Sequence, residues 1–69
     1  MEIIGDHVDQ VFEAFRGPSA LARALGEPVS TVLSWKAKRR IPRWRREPIR
    51  VAAETAGVAE RLPFLAEAA

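Results

Sequence analysis

Glycine and proline residues divide this 69-residue chain into pieces that are long enough for short helices and for little else. The main breaks fall at Gly17-Pro18, Gly26, Ile41-Pro42, Pro48 and Gly57. Proline inside a helix removes a backbone hydrogen bond, and glycine readily adopts the left-handed conformation in which many helices end. We therefore predict an all-α fold of five short helices in one domain, since the chain is too short for a second folded unit.

Apolar residues recur at helical spacing within these pieces. The first helix is predicted from Asp6 to about Arg16, where positions i, i+3, i+4 and i+7 form an apolar stripe: Val8, Val11, Phe12 and Phe15. Asp6 and Ser19 are expected to cap the first and second helices. The other predicted helical segments cover 20–25, 28–38, a short turn around Trp44 and 48–56, and a weak strand signal is confined to 1–4.

Several bulky side chains are expected to build the core. In the third helix Val29, Val32 and Trp35 should face inward, and Trp44 should also pack in or against the core. The C-terminal segment 58–69 either completes the core of the monomer or forms a dimerisation surface, through three apolar residues around a proline: Leu62, Phe64 and Leu65.

The composition excludes several classes of function. The chain has no cysteine, and His7 is its only histidine, so we expect no disulfide, no metal site and no cofactor. It has no glycine-rich phosphate loop and no recognisable catalytic constellation, so we do not expect an enzyme. No apolar run approaches the ~20 residues of a membrane span, and residues 1–4 do not begin a signal peptide. The expectation is a cytoplasmic protein without a membrane partner.

Positive charge is concentrated in one part of the sequence, which we call the basic block (Lys36–Arg50). The block holds eight lysines and arginines and a single acid, Glu47, for a net charge of +7. The rest of the chain carries −5, which leaves the whole protein at +2. Self-repulsion within such a block destabilises a compact fold, so we expect it to meet an anionic partner.

A pattern of two short helices around a tight turn precedes the basic block. The small residue Ala22 lets the first helix lie close to the second, and Gly26 permits the turn between them. Larger apolar residues fill the wedge that the two helices enclose: Leu21, Leu25, Val32 and Trp35. The pattern resembles the helix-turn-helix of Cro- and lambda-repressor-like regulators, particularly small phage-type members of the YdaS kind. This resemblance extends over about 12–56 and includes these matching residues: Leu21-Ala22, Leu25-Gly26, Val32, Trp35-Lys36 and Ile41-Pro42.

The resemblance implies a small, lambda-repressor-like five-helix bundle whose residues 1–57 form a DNA-binding domain. The helix at 29–38 would then enter the major groove of double-stranded DNA. Its candidate base-reading residues are Ser30, Thr31, Leu33 and Ser34. The candidate phosphate-binding residues are Lys36, Lys38, Arg39, Arg40, Arg43, Arg45 and Arg46. The implied function is that of a sequence-specific transcriptional regulator in a bacterial or phage setting, either a repressor or an activator that contacts RNA polymerase.

The sequence is also compatible with other partners and functions. A homodimer, or a pair with another regulator, would read two half-sites about 34 Å apart. The alternative from another class is a small basic protein-interaction module, such as an antirepressor-type accessory factor of a larger regulator. The run Arg43–Arg46 also combines arginines with Trp44, a composition that suits unpaired bases of RNA.

Overall fold

In the computed structural model, which describes residues 2–66, helices end where the glycines predict. Gly26 and Gly57 adopt left-handed φ angles of 69° and 75° just after two of the helices. A side chain at such a position would be strained, so both residues serve as helix stops. The described residues form five α-helices, α1 to α5 in chain order, and confirm the predicted all-α class: Asp6–Ala14, Pro18–Leu25, Val29–Lys38, Arg46–Ala56 and Pro63–Ala66.

A two-residue strand pair closes one side of the fold. Strand β1 (Ile3–Ile4) runs antiparallel to strand β2 (Arg40–Ile41), with Ile3 opposite Ile41. The isoleucines at these paired positions are both buried, so the pair anchors the chain start to the residues after α3. The sequence indicated the first strand only weakly, and Ile41 was predicted only to break a helix.

The core draws side chains from every helix. Val8, Leu21, Val32 and Ile49 are completely buried, one each from α1, α2, α3 and α4. The C-terminal segment contributes three more buried residues to the same cluster: Leu62, Phe64 and Leu65. These residues complete the core of the single chain, so they are not free to form a dimer surface while this fold is intact.

Contacts between distant parts of the chain fix the C-terminal segment in place. The His7 ring, in the first turn of α1, stacks on the Phe64 ring with 4.1 Å between centroids. Arg46 at the start of α4 donates a hydrogen bond from Nη2 to the Phe64 carbonyl oxygen at 2.5 Å. The last helix is therefore held by both α1 and α4.

Helix starts differ from the predictions in several places. Gly5, not Asp6, precedes α1, and Gly17 precedes α2, which begins at Pro18 without a side-chain cap. A prolyl ring already has a helical φ angle, which favours Pro18 in this first position. Helix α4 begins at Arg46 rather than Pro48; the proline lies in the first turn, where its missing N–H breaks no helical hydrogen bond.

Two predicted core residues lie on the surface instead. Val29 is 43% exposed and Trp44 is 68% exposed. Residues 28–30 are all exposed, so the first turn of α3 projects beyond the core and Val29 projects with it. Trp44 lies in a short 3-10 turn (Arg43–Arg45, called the Trp44 turn), and the interior position next to it is taken by Ile41. The inward placement of Val32 and Trp35 is confirmed.

Within residues 2–66 no helix is both long enough and apolar enough to cross a bilayer.

Candidate nucleic-acid interface

Helix α3 presents one face of small side chains to solvent, which we call the outer stripe. Val32 and Trp35 are buried, and the positions opposite them follow the spacing i, i+3, i+4 and i+7. The outer stripe consists of Ser30, Leu33, Ser34 and Ala37. Because none of these side chains is larger than leucine, the helix backbone can approach a partner surface closely.

The turn between α2 and α3 sets the direction in which the outer stripe points. Ala22 is 4% exposed where α2 lies against α3, and Gly26 turns the chain immediately afterwards. The N–H of Glu27 donates a hydrogen bond to the carbonyl oxygen of Ala22 at 3.0 Å, which closes the end of α2. Helices α2 and α3 are in contact, and Leu21 of α2 is completely buried.

Three of the four predicted base-reading residues share the outer stripe. Ser30 and Leu33 are exposed. Ser34 and Thr31 are both half-buried, but Thr31 lies to the side of the stripe. Ala37 completes the stripe but is absent from the sequence-based site. The helical spacing from Ser30 indicates that Ala37 lies on the same face, but an alanine side chain has no hydrogen-bonding group that would suggest a contact to a base.

Three residues of the basic block keep their charge uncompensated. Among residues 2–66, Lys36, Lys38 and Arg43 make no ion pair, and all three are exposed. The Lys36 ammonium lies 5.7 Å from the centre of the Phe12 ring, which leaves it open to solvent on its other side. Lys38 ends α3, and Arg43 begins the Trp44 turn, so positive charge continues from one element into the next.

Two further arginines of the block are paired with acids from the chain start. The Arg39 guanidinium lies 3.1 Å from Asp6 Oδ1 and 3.0 Å from Asp9 Oδ2. Arg40 Nε lies 3.2 Å from Glu2 Oε1. Exposed ion pairs of this kind contribute only about 0–1 kcal/mol to stability, so a phosphate can replace any of these three acids as the partner of an arginine at little cost.

Arg45 and Arg46 make contacts within the protein that stabilise the fold. Arg45 Nη1 lies 2.5 Å from Glu27 Oε2, and both side chains are mostly buried at 24% and 17% exposure. Arg46 donates to the Phe64 carbonyl oxygen, while its buried Nε has no hydrogen-bond partner. The seven predicted phosphate-binding residues thus divide into three unpaired, two weakly paired and two structural side chains.

Arg50 is the last cation of the block, and its charge is neutralised along α4. Its guanidinium pairs with Glu47 one turn before it and with Glu54 one turn after it, the latter at 2.7 Å. The hydrogen bonds from Arg50 lower the pKa of the Glu47 carboxyl, and the two acids raise the pKa of Arg50. Within the basic block, the exposed cations that are unpaired or weakly paired therefore all lie in 36–43.

An apolar groove lies elsewhere on the molecule, between α2 and α4. It has a volume of about 590 Å³ and is lined mainly by Ala24, Leu25, Pro48, Val51, Ala52 and Thr55. Val51 is the large apolar side chain most open to solvent in this lining, at 47% exposure. Nothing in the groove resembles a catalytic centre, and residues 2–66 contain no cluster of three side chains suited to a metal ion.

Comparison of the chain with protein-family models, curated proteins and solved structures found no match.

Proposed function

We propose that the protein binds double-stranded DNA in a sequence-specific manner as a transcriptional regulator, with α3 in the major groove. The observation that carries this proposal is the placement of the outer stripe directly beside the uncompensated cations at the end of α3. A protruding helix with small outward side chains fits the major groove, which admits one α-helix. The adjacent cations match the phosphates on the groove edge. The resemblance to Cro- and lambda-repressor-like regulators supports the same arrangement of α2 and α3.

Base recognition is assigned to the outer stripe. The hydroxyls of Ser30 and Ser34 can donate to or accept from several base edges, and Leu33 can contact a thymine methyl group. Thr31 would contact the groove wall rather than its floor, because it lies beside the stripe. Ala37 allows the last turn of α3 to approach the bases without a clash.

Phosphate binding is assigned first to Lys36, Lys38 and Arg43. Arg39 and Arg40 would join them when phosphates displace their acidic partners. Five neutralised phosphates predict that log K falls with log salt concentration at a slope of about −4.5.

Regulation would follow from occupancy of an operator, as repression or, through contact with RNA polymerase, as activation.

The binding test uses fluorescence anisotropy with two kinds of duplex. A duplex selected from a randomised library is compared with an unselected random duplex across a salt series starting near 50 mM. We expect both to bind, the selected one at least a hundredfold more tightly. No binding to either duplex at the lowest salt would refute the proposal. Equal affinity for both would replace a sequence-specific regulator with a general DNA-packaging role.

Removing the two hydroxyls of the outer stripe should alter which sequence is preferred. We expect Ser30→Ala combined with Ser34→Ala to reduce the preference for the selected duplex about tenfold, since a lost base-edge hydrogen bond reduces discrimination. The slope with salt should stay unchanged. Ser19→Ala, which removes an exposed hydroxyl on α2 that caps no helix, is the matched control and should leave the preference as it is. If the stripe variant weakens both duplexes equally, α3 does not read bases.

Releasing Arg39 from its acidic partners should strengthen DNA binding. In the variant Asp6→Asn with Asp9→Asn, we expect the affinity for any duplex to rise about three- to tenfold and the salt slope to steepen by about one. The variant Glu13→Gln with Glu60→Gln makes the same change in net charge at two exposed acids outside these pairs. An equal rise in affinity for both variants would show a general charge effect instead of a specific release.

The alternative function, a small protein-interaction module of the antirepressor type, is favoured by the apolar groove between α2 and α4. A protein partner or a second copy would have to use such a face, because the C-terminal apolar residues are buried in the core. Absence of duplex binding, together with capture of a purified regulator that Val51→Glu abolishes, would support this alternative.

A further inference from the structure

Trp44 is the most exposed of the large apolar side chains in residues 2–66. Its side chain is 68% accessible, whereas Trp35, the other tryptophan, is 6% accessible. An indole offers a large apolar area, and leaving it in water forgoes the stabilisation that burial would give. The exposed indole is therefore an unused binding surface on the molecule.

The indole is held in place rather than left loose. The guanidinium carbon of Arg45 lies 4.4 Å from the Trp44 ring centre, and the same guanidinium pairs with Glu27 at 2.5 Å. Glu27 belongs to the turn between α2 and α3, three residues before Ser30, where the outer stripe begins. This chain of contacts fixes Trp44 on the side of the molecule where α3 starts.

The groups around the Trp44 indole indicate which kind of partner can bind there. Arg45 covers one ring face, so the other face and the Nε1–H group remain available, and indole can donate a hydrogen bond but not accept one. Arg43, adjacent in the chain, is exposed and unpaired within 2–66. A purely apolar partner would have to desolvate that arginine, whereas a nucleic-acid backbone offers a phosphate for the cation and a sugar for the ring.

We propose that Trp44 is a contact to the sugar–phosphate backbone of duplex DNA, at the edge of the groove that α3 enters. Its Nε1–H donates to a phosphate oxygen and its open ring face lies on a deoxyribose. With one face covered by Arg45, the ring contacts the outside of the duplex and does not insert between base pairs. This inference depends on the DNA binding proposed above and adds to it a contact that carries no sequence preference.

The test combines affinity with the fluorescence of Trp44 in the full chain. We expect Trp44→Ala to lower the affinity for selected and random duplexes alike, by about tenfold, as for an aromatic anchor. Trp44→Phe keeps a ring but loses the N–H group and should lower the affinity about threefold. Gln10→Ala, at an exposed position on α1 outside the apolar groove, should leave the affinity unchanged. In the unaltered protein, a saturating duplex should protect Trp44 from quenching by acrylamide.

The outcomes separate this inference from the proposed function. If anisotropy shows duplex binding while Trp44→Ala binds normally and quenching is unaffected, the Trp44 contact is wrong and the DNA-binding proposal stands. If no duplex binds at any salt concentration, both fail. If an oligonucleotide without secondary structure binds more tightly than the duplex and Trp44→Ala weakens only that binding, the indole stacks on unpaired bases, which also overturns the backbone contact.

Discussion

Replacing Trp35 by alanine is expected to remove a large part of the free energy of unfolding of the protein. The side chain is 6% exposed and belongs to the core, and removal of a buried tryptophan costs about 3–5 kcal/mol. At about 0.05–0.15 kcal/mol per residue, a chain of 69 residues has a total free energy of unfolding of roughly 3–10 kcal/mol. One substitution therefore removes a large part of the stability, because so small a core has few other contacts to compensate.

Circular dichroism during thermal and urea denaturation measures this loss. Leu33→Ala is the matched control, since it shortens an apolar side chain on the same helix that is 46% exposed. We expect the control to change the free energy of unfolding by less than about 0.5 kcal/mol. Similar effects for the two variants would mean that α3 faces the core with a different side, and the outer stripe would then be assigned wrongly.

Neutralising Lys38 and Arg43 together should produce a large loss of DNA affinity without damage to the fold. Each phosphate contact contributes a slope of about −0.9, so two lost contacts should weaken binding to any duplex about 60-fold at about 0.1 M salt. The salt slope should become shallower by about two. Neither side chain makes an ion pair among the described residues, so Lys38→Gln with Arg43→Gln should leave the melting temperature nearly unchanged.

The control for this variant is Arg16→Gln with Arg61→Gln. It lowers the net charge by the same amount at two exposed arginines that lie outside the basic block. We expect the control to lower the affinity only a few-fold, through the reduced overall charge and without loss of a contact. If both double variants lose affinity and slope to the same extent, the protein binds DNA through its total charge rather than through the surface beside α3.

Local sequence rules predicted the helical part of the fold well. Gly26 and Gly57 indicated two helix ends, because a glycine directly after a run of helical residues favours the left-handed backbone conformation that ends a helix. The spacing of Val32 and Trp35 identified the inner face of α3, and with it the opposite face that forms most of the candidate site. These features depend on residues within one or two turns of each other.

Features that depend on distant contacts could not be predicted in this way. The exposure of Trp44 follows from Ile41 taking the neighbouring interior position, and Ile41 is placed there by pairing with Ile3. Arg45 and Arg46 differ from Lys38 and Arg43 only in having partners, Glu27 and Phe64, that are 18 residues away in the sequence. A count of charges treats these four cations alike, whereas the structure assigns two of them to the fold.

The stacking of His7 on Phe64 bears on how a newly made copy of this protein becomes folded. Helix α1 contacts Phe64 through His7, and β1 pairs with Ile41, so the native core cannot close until residues as far as Phe64 have left the ribosome. Synthesis at about 5–20 residues per second leaves the nascent apolar segments open to proteases for several seconds. The basic block reaches its final arrangement only when Phe64 is in place, because Arg46 donates a hydrogen bond to the Phe64 carbonyl oxygen.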